Sequence, residues 1–235
     1  MKKHIPNAIT CCNLLCGCLS VYFSMQINEA WAAILIFAAL VFDFFDGLVA
    51  RALKVHSPIG KELDSLADVV SFGVAPAFIL MNLFTYHTIS IQFSLALLKF
   101  SSFLVPVFAA LRLAKFNIDT RQGEMFFGLP SPSTGIFIAS LPLIFLTDGF
   151  LKPYLINPWV LVGTAVFLSG MMVAEVPLFS FKAKGGTMRT KRIQMVFVFI
   201  ALILVLFFSI SAIPMIILLY ILLSVIGKKY FYSGN

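Results

Sequence analysis

The sequence predicts an all-α integral membrane protein of about eight transmembrane helices, from three observations: apolar composition, the length of the apolar runs, and the sorting of basic residues between them. Of 235 residues, 60% are hydrophobic and 11% charged, and the mean hydropathy is +1.01. A soluble domain averages roughly 45–50% apolar and about 25% charged residues. A water-soluble globule is therefore excluded. The stretch from Ile193 to Ile226 carries no charged residue, and a helix needs only about 20 apolar residues to cross a hydrocarbon core. Eight such spans leave short connections and no room for a separate soluble domain.

Apolar length and punctuation place the spans at 8–26, 31–53, 62–85, 94–114, 132–148, 156–175, 193–209 and 212–227. The first follows Lys2 and Lys3 and holds all four cysteines, Cys11, Cys12, Cys16 and Cys18. No histidine or carboxylate stands beside them, so they read as small packing residues rather than a zinc site or disulfide framework. Ala30-Trp31-Ala32 has the look of a signal-peptide cleavage site, but the apolar run is too long and the site too late. The second and third spans are joined by a short segment with His56-Ser57-Pro58 as its turn, which predicts antiparallel neighbours. Lys182 to Arg192, with Gly185-Gly186, is the most linker-like stretch; it divides a core over 1–185 from a helical hairpin over 186–235. Ser209-Ile210-Ser211 is the tight turn of that hairpin, and Pro214 is tolerated near a helix start.

With a cytoplasmic amino terminus, fifteen of the seventeen Lys and Arg residues fall on the cytoplasmic side, and only Lys99 and Lys152 fall outside. Both termini are then expected in the cytoplasm. The net charge of +7 comes from small basic groups between apolar stretches, not from a groove-sized patch. Nucleic acid is excluded as a partner, and membrane lipid is expected instead.

Five of the ten acidic residues, Asp43, Asp46, Glu62, Asp64 and Asp68, crowd into 26 positions. An ionisable group at the centre of a membrane helix costs about 2.5–3.5 kcal/mol on insertion scales, and so marks function by default. Asp43 and Asp46 share a helix face at i,i+3 on the cytoplasmic end of the second span; Asp64 and Asp68 share one at i,i+4 at the start of the third. Antiparallel packing points all four into one space. Two carboxylates about 6 Å apart repel by roughly 3 kcal/mol at an effective dielectric of 20, so cations are expected between them. Oxygen donors select Mg²⁺ or Mn²⁺, with Ca²⁺ as the alternative, and a pair of such ions suits displacement at phosphorus. Gly47, Ala50 and Gly60 permit close approach of a bulky ligand, while Arg51 and Lys61 supply positive charge for an oxyanion.

Residues 43–68 thus read Asp43-x-x-Asp46-Gly47-x-x-Ala50-Arg51, eight residues, then Gly60-x-x-x-Asp64-x-x-x-Asp68. At every fixed position this resembles the signature of the CDP-alcohol phosphotransferase superfamily. Gly60 to Pro76, Arg112-Leu113-Ala114-Lys115-Phe116-Asn117, Gly128-Leu129-Pro130-Ser131-Pro132 and the opening Ile5-Pro6-Asn7 to Asn13-Leu14-Cys16-Gly17 resemble the phosphatidylserine synthase branch, and the likeness covers roughly residues 4–185. The resemblance implies a six-helix core, followed here by the additional hairpin, in a homodimer of a bacterial or archaeal cytoplasmic membrane. It implies CDP-diacylglycerol and L-serine as substrates, phosphatidylserine and CMP as products, and a divalent cation. It further implies Asp43, Asp46, Asp64 and Asp68 as metal ligands, Asp68 also as candidate base, and Gly47, Ala50, Arg51 and Gly60 around the cytidine diphosphate.

The acceptor brings a carboxylate and an ammonium to a site already holding a pyrophosphate, so a cation is needed on its side. Arg112, Lys115 or Arg121 is expected to engage the serine carboxylate or the lipid phosphate, with Asn117 as a neutral partner. Phe42, Phe44, Phe45 and Phe72 are candidates for the walls facing the acyl tails. Glycerol 3-phosphate and inositol phosphate are the alternative acceptors. A cation transporter would also use intramembrane carboxylates, but has no need of Arg51 or Gly60 at fixed distances.

Overall fold

The computed structural model describes residues 4–55, 57–86, 97–118, 126–147, 149–155, 157–178 and 188–231. Helices α1 (His4–Met25) and α2 (Glu29–Ala52) pack along each other through most of their length. Their turn uses Ile27 in a left-handed conformation (φ 57°) and Asn28, whose side-chain oxygen accepts the Trp31 N–H at 3.4 Å as an N-cap. The buried face of α1 is Pro6, Thr10, Asn13, Gly17, Ser20 and Ser24, at spacings of three and four, while Leu15, Leu19 and Tyr22 face outward. In lipid no hydrophobic force drives apolar side chains inward, so small and polar residues take the helix seam. Of the cysteines, Cys16 is buried in that seam, whereas Cys11, Cys12 and Cys18 are exposed, and all four are free thiols.

After α2, Lys54 turns the chain at φ 53°, Ser57 caps the next helix by accepting the Gly60 N–H at 3.3 Å, and Pro58 occupies its first turn. Helix α3 (Pro58–Val69) passes through a π-helical turn, Val70–Val74, into α4 (Ala75–Leu83). Together they make the most enclosed of the apolar spans. The π turn is where neighbours come closest. A Cβ at Gly17 would stand 2.5 Å from Ser71 Oγ and 2.8 Å from Ser71 Cα, and one at Gly135 would stand 2.9 Å from Phe72 Cδ1. Phe72 is fully buried, so it belongs to the core and not to a tail-facing wall as expected; Phe44 and Phe45 are exposed.

A 3-10 segment, Lys99–Phe103, leads into α5 (Leu104–Ile118), and α6 (Ser131–Leu146) follows. The short α7 (Lys152–Leu155) precedes α8 (Pro158–Val173). One feature absent from the sequence reading is a two-residue antiparallel pairing of β1 (Phe126–Phe127) with β2 (Pro177–Leu178). Beside it, Gly128 (φ 75°) donates its N–H to the Val176 carbonyl at 3.0 Å, and Leu129 donates to the Met171 carbonyl at 2.8 Å. A Cβ at Gly128 would lie 2.5 Å from the Met172 carbonyl oxygen, so only glycine fits this turn. The start of α6 is thereby clamped to the end of α8.

The final hairpin is α9 (Met188–Phe208) and α10 (Ala212–Phe231), joined through Ser209–Ser211. Helix α10 packs on α6 and β2, and its Ile221 enters the core. Met195, Phe199, Leu202, Leu206 and Phe207 of α9 are exposed, as befits a lipid-facing helix. Five segments are long and apolar enough to cross a membrane: His4–Met25, Glu29–Ala52, Pro58–Leu83, Lys99–Ile118 and Arg192–Ile226, the last containing both helices of the hairpin. Where the sequence predicts spans at 132–148 and 156–175, α6 and α8 are apolar but only 16 residues each. The chain is an all-α membrane protein in both readings.

Candidate functional site

Helix α2 brings Asp43 and Asp46 to its carboxyl end, and α3 carries Asp64 and Asp68 past them in the return direction. One carboxylate oxygen from each of Asp43, Asp64 and Asp68 lies within 4.8 Å of the others. Asp43 is within hydrogen-bond reach of Asp68, and Asp64 Oδ1 is buried without a hydrogen-bond partner among the described residues. The fourth carboxylate, Asp46, is buried beside this triad, close enough to Asp43 and Asp64 to interact electrostatically. Its Oδ2 accepts the Thr10 hydroxyl at 2.7 Å. The expected convergence of four aspartates is thus a triad with a neighbour.

A divalent cation fits this donor set. Ligands on opposite sides of a Mg²⁺ or Ca²⁺ ion stand about 4–5 Å apart, close to the spacing of the triad, and the orphaned Asp64 Oδ1 has the hard, anionic character such an ion takes. Three carboxylates this close, Asp68 buried and Asp43 and Asp64 half-buried, with so few donors, demand a compensating positive charge.

Next to the triad, Asp46 and Asp64 open into a cleft of about 260 Å³ lined also by Gly47, Ala50, Gly60 and Lys61, with Asn7 and Thr10 of α1 closing its wall. A Cβ at Gly60 would stand 2.9 Å from Asn7 Oδ1, so the bare backbone there keeps the cleft open. Arg51 is exposed, its Nη1 3.6 Å from where a Cβ of Gly47 would lie. The small residues of the motif therefore border one space with Asp46 and Asp64.

On the other side of Asp68 stands Arg112 of α5. Its Nη1 donates to Ser131 Oγ at 2.9 Å, its guanidinium carbon is 5.8 Å from the centre of the Phe116 ring, and it interacts electrostatically with Asp68. Arg112 Nε is buried with no hydrogen-bond partner among the described residues. Asn117 and Lys61 meet instead at the edge: Lys61 Nζ donates to the Asn117 carbonyl at 3.1 Å, and Asn117 Nδ2 donates to Ser65 Oγ at 3.0 Å. Lys115 is exposed, and Arg121 lies outside the described residues. Of the four acceptor-side candidates, Arg112 alone among the described residues is placed against Asp68.

Three residues outside the candidate set reach the site: Thr10, Asn13 and Ser131. Asn13 Nδ2 donates to Asp68 Oδ1 at 3.4 Å. Thr10 and Asn13, three apart in an otherwise apolar helix, carried a signal of their own, since buried polar side chains in a membrane span seek partners. Ser131 stands in a stretch that carries the family resemblance but points to no role by itself; its place depends on the Gly128 turn.

The model of the CDP-alcohol phosphatidyltransferase family matches residues 3–176. A CDP-diacylglycerol–serine O-phosphatidyltransferase of Bacillus subtilis is 34% identical over 180 residues, covering 77% of this chain and 92% of its own. A Helicobacter pylori protein of the same name is 32% identical over 202 residues, covering 85% and 81%. An archaetidylserine synthase of Methanothermobacter thermautotrophicus is 34% identical over 142 residues, covering 59% and 58%. The match spans α1 to α8 and includes every aspartate of the triad, so the chain belongs to the CDP-alcohol phosphatidyltransferase family.

Proposed function

We propose that the protein transfers the phosphatidyl group of CDP-diacylglycerol to the hydroxyl of L-serine, forming phosphatidylserine and releasing CMP. The observation that carries this reading is the Asp43, Asp64 and Asp68 triad, within 4.8 Å, beside a cleft lined by Gly47, Ala50 and Gly60. Serine as acceptor is supported by the names of the relatives, which agree on serine and differ in the lipid.

Asp43, Asp46, Asp64 and Asp68 would hold a divalent cation, Mg²⁺ or Mn²⁺, and such an ion would supply charge neutralisation for the pyrophosphate and the departing CMP. The open backbone at Gly47 and Gly60 lets the cytidine diphosphate approach, and Arg51 and Lys61 grip its oxyanions. The serine oxygen attacks the phosphorus that bears the diacylglycerol; the bond from that phosphorus to the bridging oxygen of CMP breaks; the hydroxyl proton passes to Asp68. Arg112, held by Ser131, engages the serine carboxylate through its Nε edge. Catalysis is chiefly positioning and electrostatics. The site faces the cytoplasm, with both termini on that side, so acyl tails stay in lipid while serine enters from water.

The test is CMP release by the purified protein in detergent, with serine, glycerol 3-phosphate and inositol phosphate offered in parallel. Turnover is expected with serine alone, to vanish on chelation and to return with Mg²⁺ or Mn²⁺. Turnover with another acceptor, or in the presence of excess chelator, overturns the reading. Arg112→Ala is expected to raise the serine KM about tenfold or more, as loss of a charge-assisted contact does, while leaving that for CDP-diacylglycerol near its normal value.

A further inference from the structure

The carboxylate assigned as base is held by a group that lies outside the motif. Asn13 of α1 is fully buried. Its side-chain Nδ2 donates to Asp68 Oδ1 at 3.4 Å, and its backbone carbonyl accepts the Ser71 hydroxyl at 3.0 Å. One residue thus grips both ends of the single turn from Asp68 to Ser71. One turn further along α1, Gly17 lies against Ser71 so closely that a Cβ would fall 2.8 Å from its Cα, and this contact sets the spacing that the two hydrogen bonds span.

Asn13 Oδ1 is buried and has no hydrogen-bond partner among the described residues. Leaving a buried acceptor unsatisfied costs stability, whereas an apolar isostere carries no such cost. A purely structural seam would therefore be better filled by leucine. The amide brings a donor without a charge. A lysine or arginine at this place would neutralise Asp68 and compete with a cation; a hydroxyl on the shorter serine stem would fall short of it. An amide donates to one oxygen of Asp68 and fixes the plane of the carboxylate without adding charge.

Resting on the reading of Asp68 as the base, we propose that Asn13 is a positioning residue, which orients the Asp68 carboxylate toward the serine hydroxyl through its Nδ2 donor. Its contribution lies in turnover and not in substrate binding. Because α1 also carries Thr10, whose hydroxyl meets Asp46 one turn away, a single helix face sets carboxylates from both α2 and α3.

The experiment uses the full chain in detergent and compares Asn13→Leu, close to the native shape, and Asn13→Ala, neither with a side-chain donor, with the parent. The expected result is a fall in kcat of tenfold or more for both, KM for CDP-diacylglycerol and for serine within twofold, and a thermal midpoint for Asn13→Leu equal to or above the parent. Equilibrium binding of CDP-diacylglycerol is expected to be unchanged. In the Asp68→Asn background, Asn13→Leu is expected to cause no further loss. An unchanged kcat overturns the proposal, and so does a loss confined to KM or a full additional loss in the double variant. If Asn13→Leu does not fold, Asn13→Ala carries the same kinetic test. Should Asp68→Asn itself turn over normally, it is the reading of Asp68 that fails, and the Asn13 single variants report that separately.

Discussion

Helix α2 carries buried acids at both of its ends, and the two ends handle them differently. At its start, Glu29 is 3% exposed and its Oε1 accepts from Asn82 Nδ2 at 2.6 Å, while the same amide donates to the Ser24 carbonyl at 2.6 Å. One carboxylate there meets an amide that ties α1, α2 and α4 together. At the other end three carboxylates face one another within 4.8 Å, with Asn13 as a neutral donor and Arg112 on the far side of Asp68. The difference teaches that burial alone does not set the demand for positive charge at an acid; the ratio of negative charge to local donors does, and where acids outnumber their donors, something charged has to come in.

Substitutions at the two ends sharpen that contrast. The largest effect is expected for Asp64→Asn and Asp68→Asn, about 10³-fold in turnover or more, in line with loss of a general base or of a metal ligand. Their thermal midpoints should hold or rise, because each removes a repulsive charge, and Mn²⁺ binding measured by titration should weaken for Asp64→Asn. Gly17→Val comes next. The added side chain drives into Ser71 and should cost about 1–3 kcal/mol or more of stability by overpacking, with activity lost in step as the turn bearing Asp68 shifts. At the opposite end, Asn82→Leu strips Glu29 of its donor and should cost about 1–3 kcal/mol, seen as a lower thermal midpoint, while the surviving folded enzyme keeps its kcat. The smallest effect is expected for Glu29→Gln, within about 1 kcal/mol and about twofold in turnover, since an amide oxygen still accepts from Asn82. A loss for Glu29→Gln as deep as that for Asp68→Asn would break the distinction between the ends.

Much of the site was readable in the chain because its parts are local. Asp43 with Asp46 and Asp64 with Asp68 sit on helix faces by spacing alone, and Gly47, Ala50 and Gly60 line the cleft that the same motif implied. The places where the reading fell short are long-range. Asp46 stands beside the triad, and its Oδ2 accepts the hydroxyl of Thr10, 36 residues earlier, a contact that helix spacing does not predict. Phe72 went to the core because the π turn swings it against Gly135, a contact that no periodicity announces. Among the basic residues of 112–121, equal candidates by composition, burial and a bond to Ser131 separate Arg112 from the exposed Lys115.

Composition and the length of apolar runs by themselves determined that this is a helical membrane protein, because the cost of exposing backbone polar groups to hydrocarbon leaves helices as the solution for runs of this length. The spacing of the aspartates likewise determined that acids would share helix faces, since that follows from 3.6 residues per turn. Only the tertiary structure decided which acids meet, which arginine faces them, and which neutral groups hold them. Those choices depend on how closely α1 and the π turn approach and on the clamp at Gly128 between α6 and α8. They are set by packing between distant segments, which the order of residues along one helix does not contain.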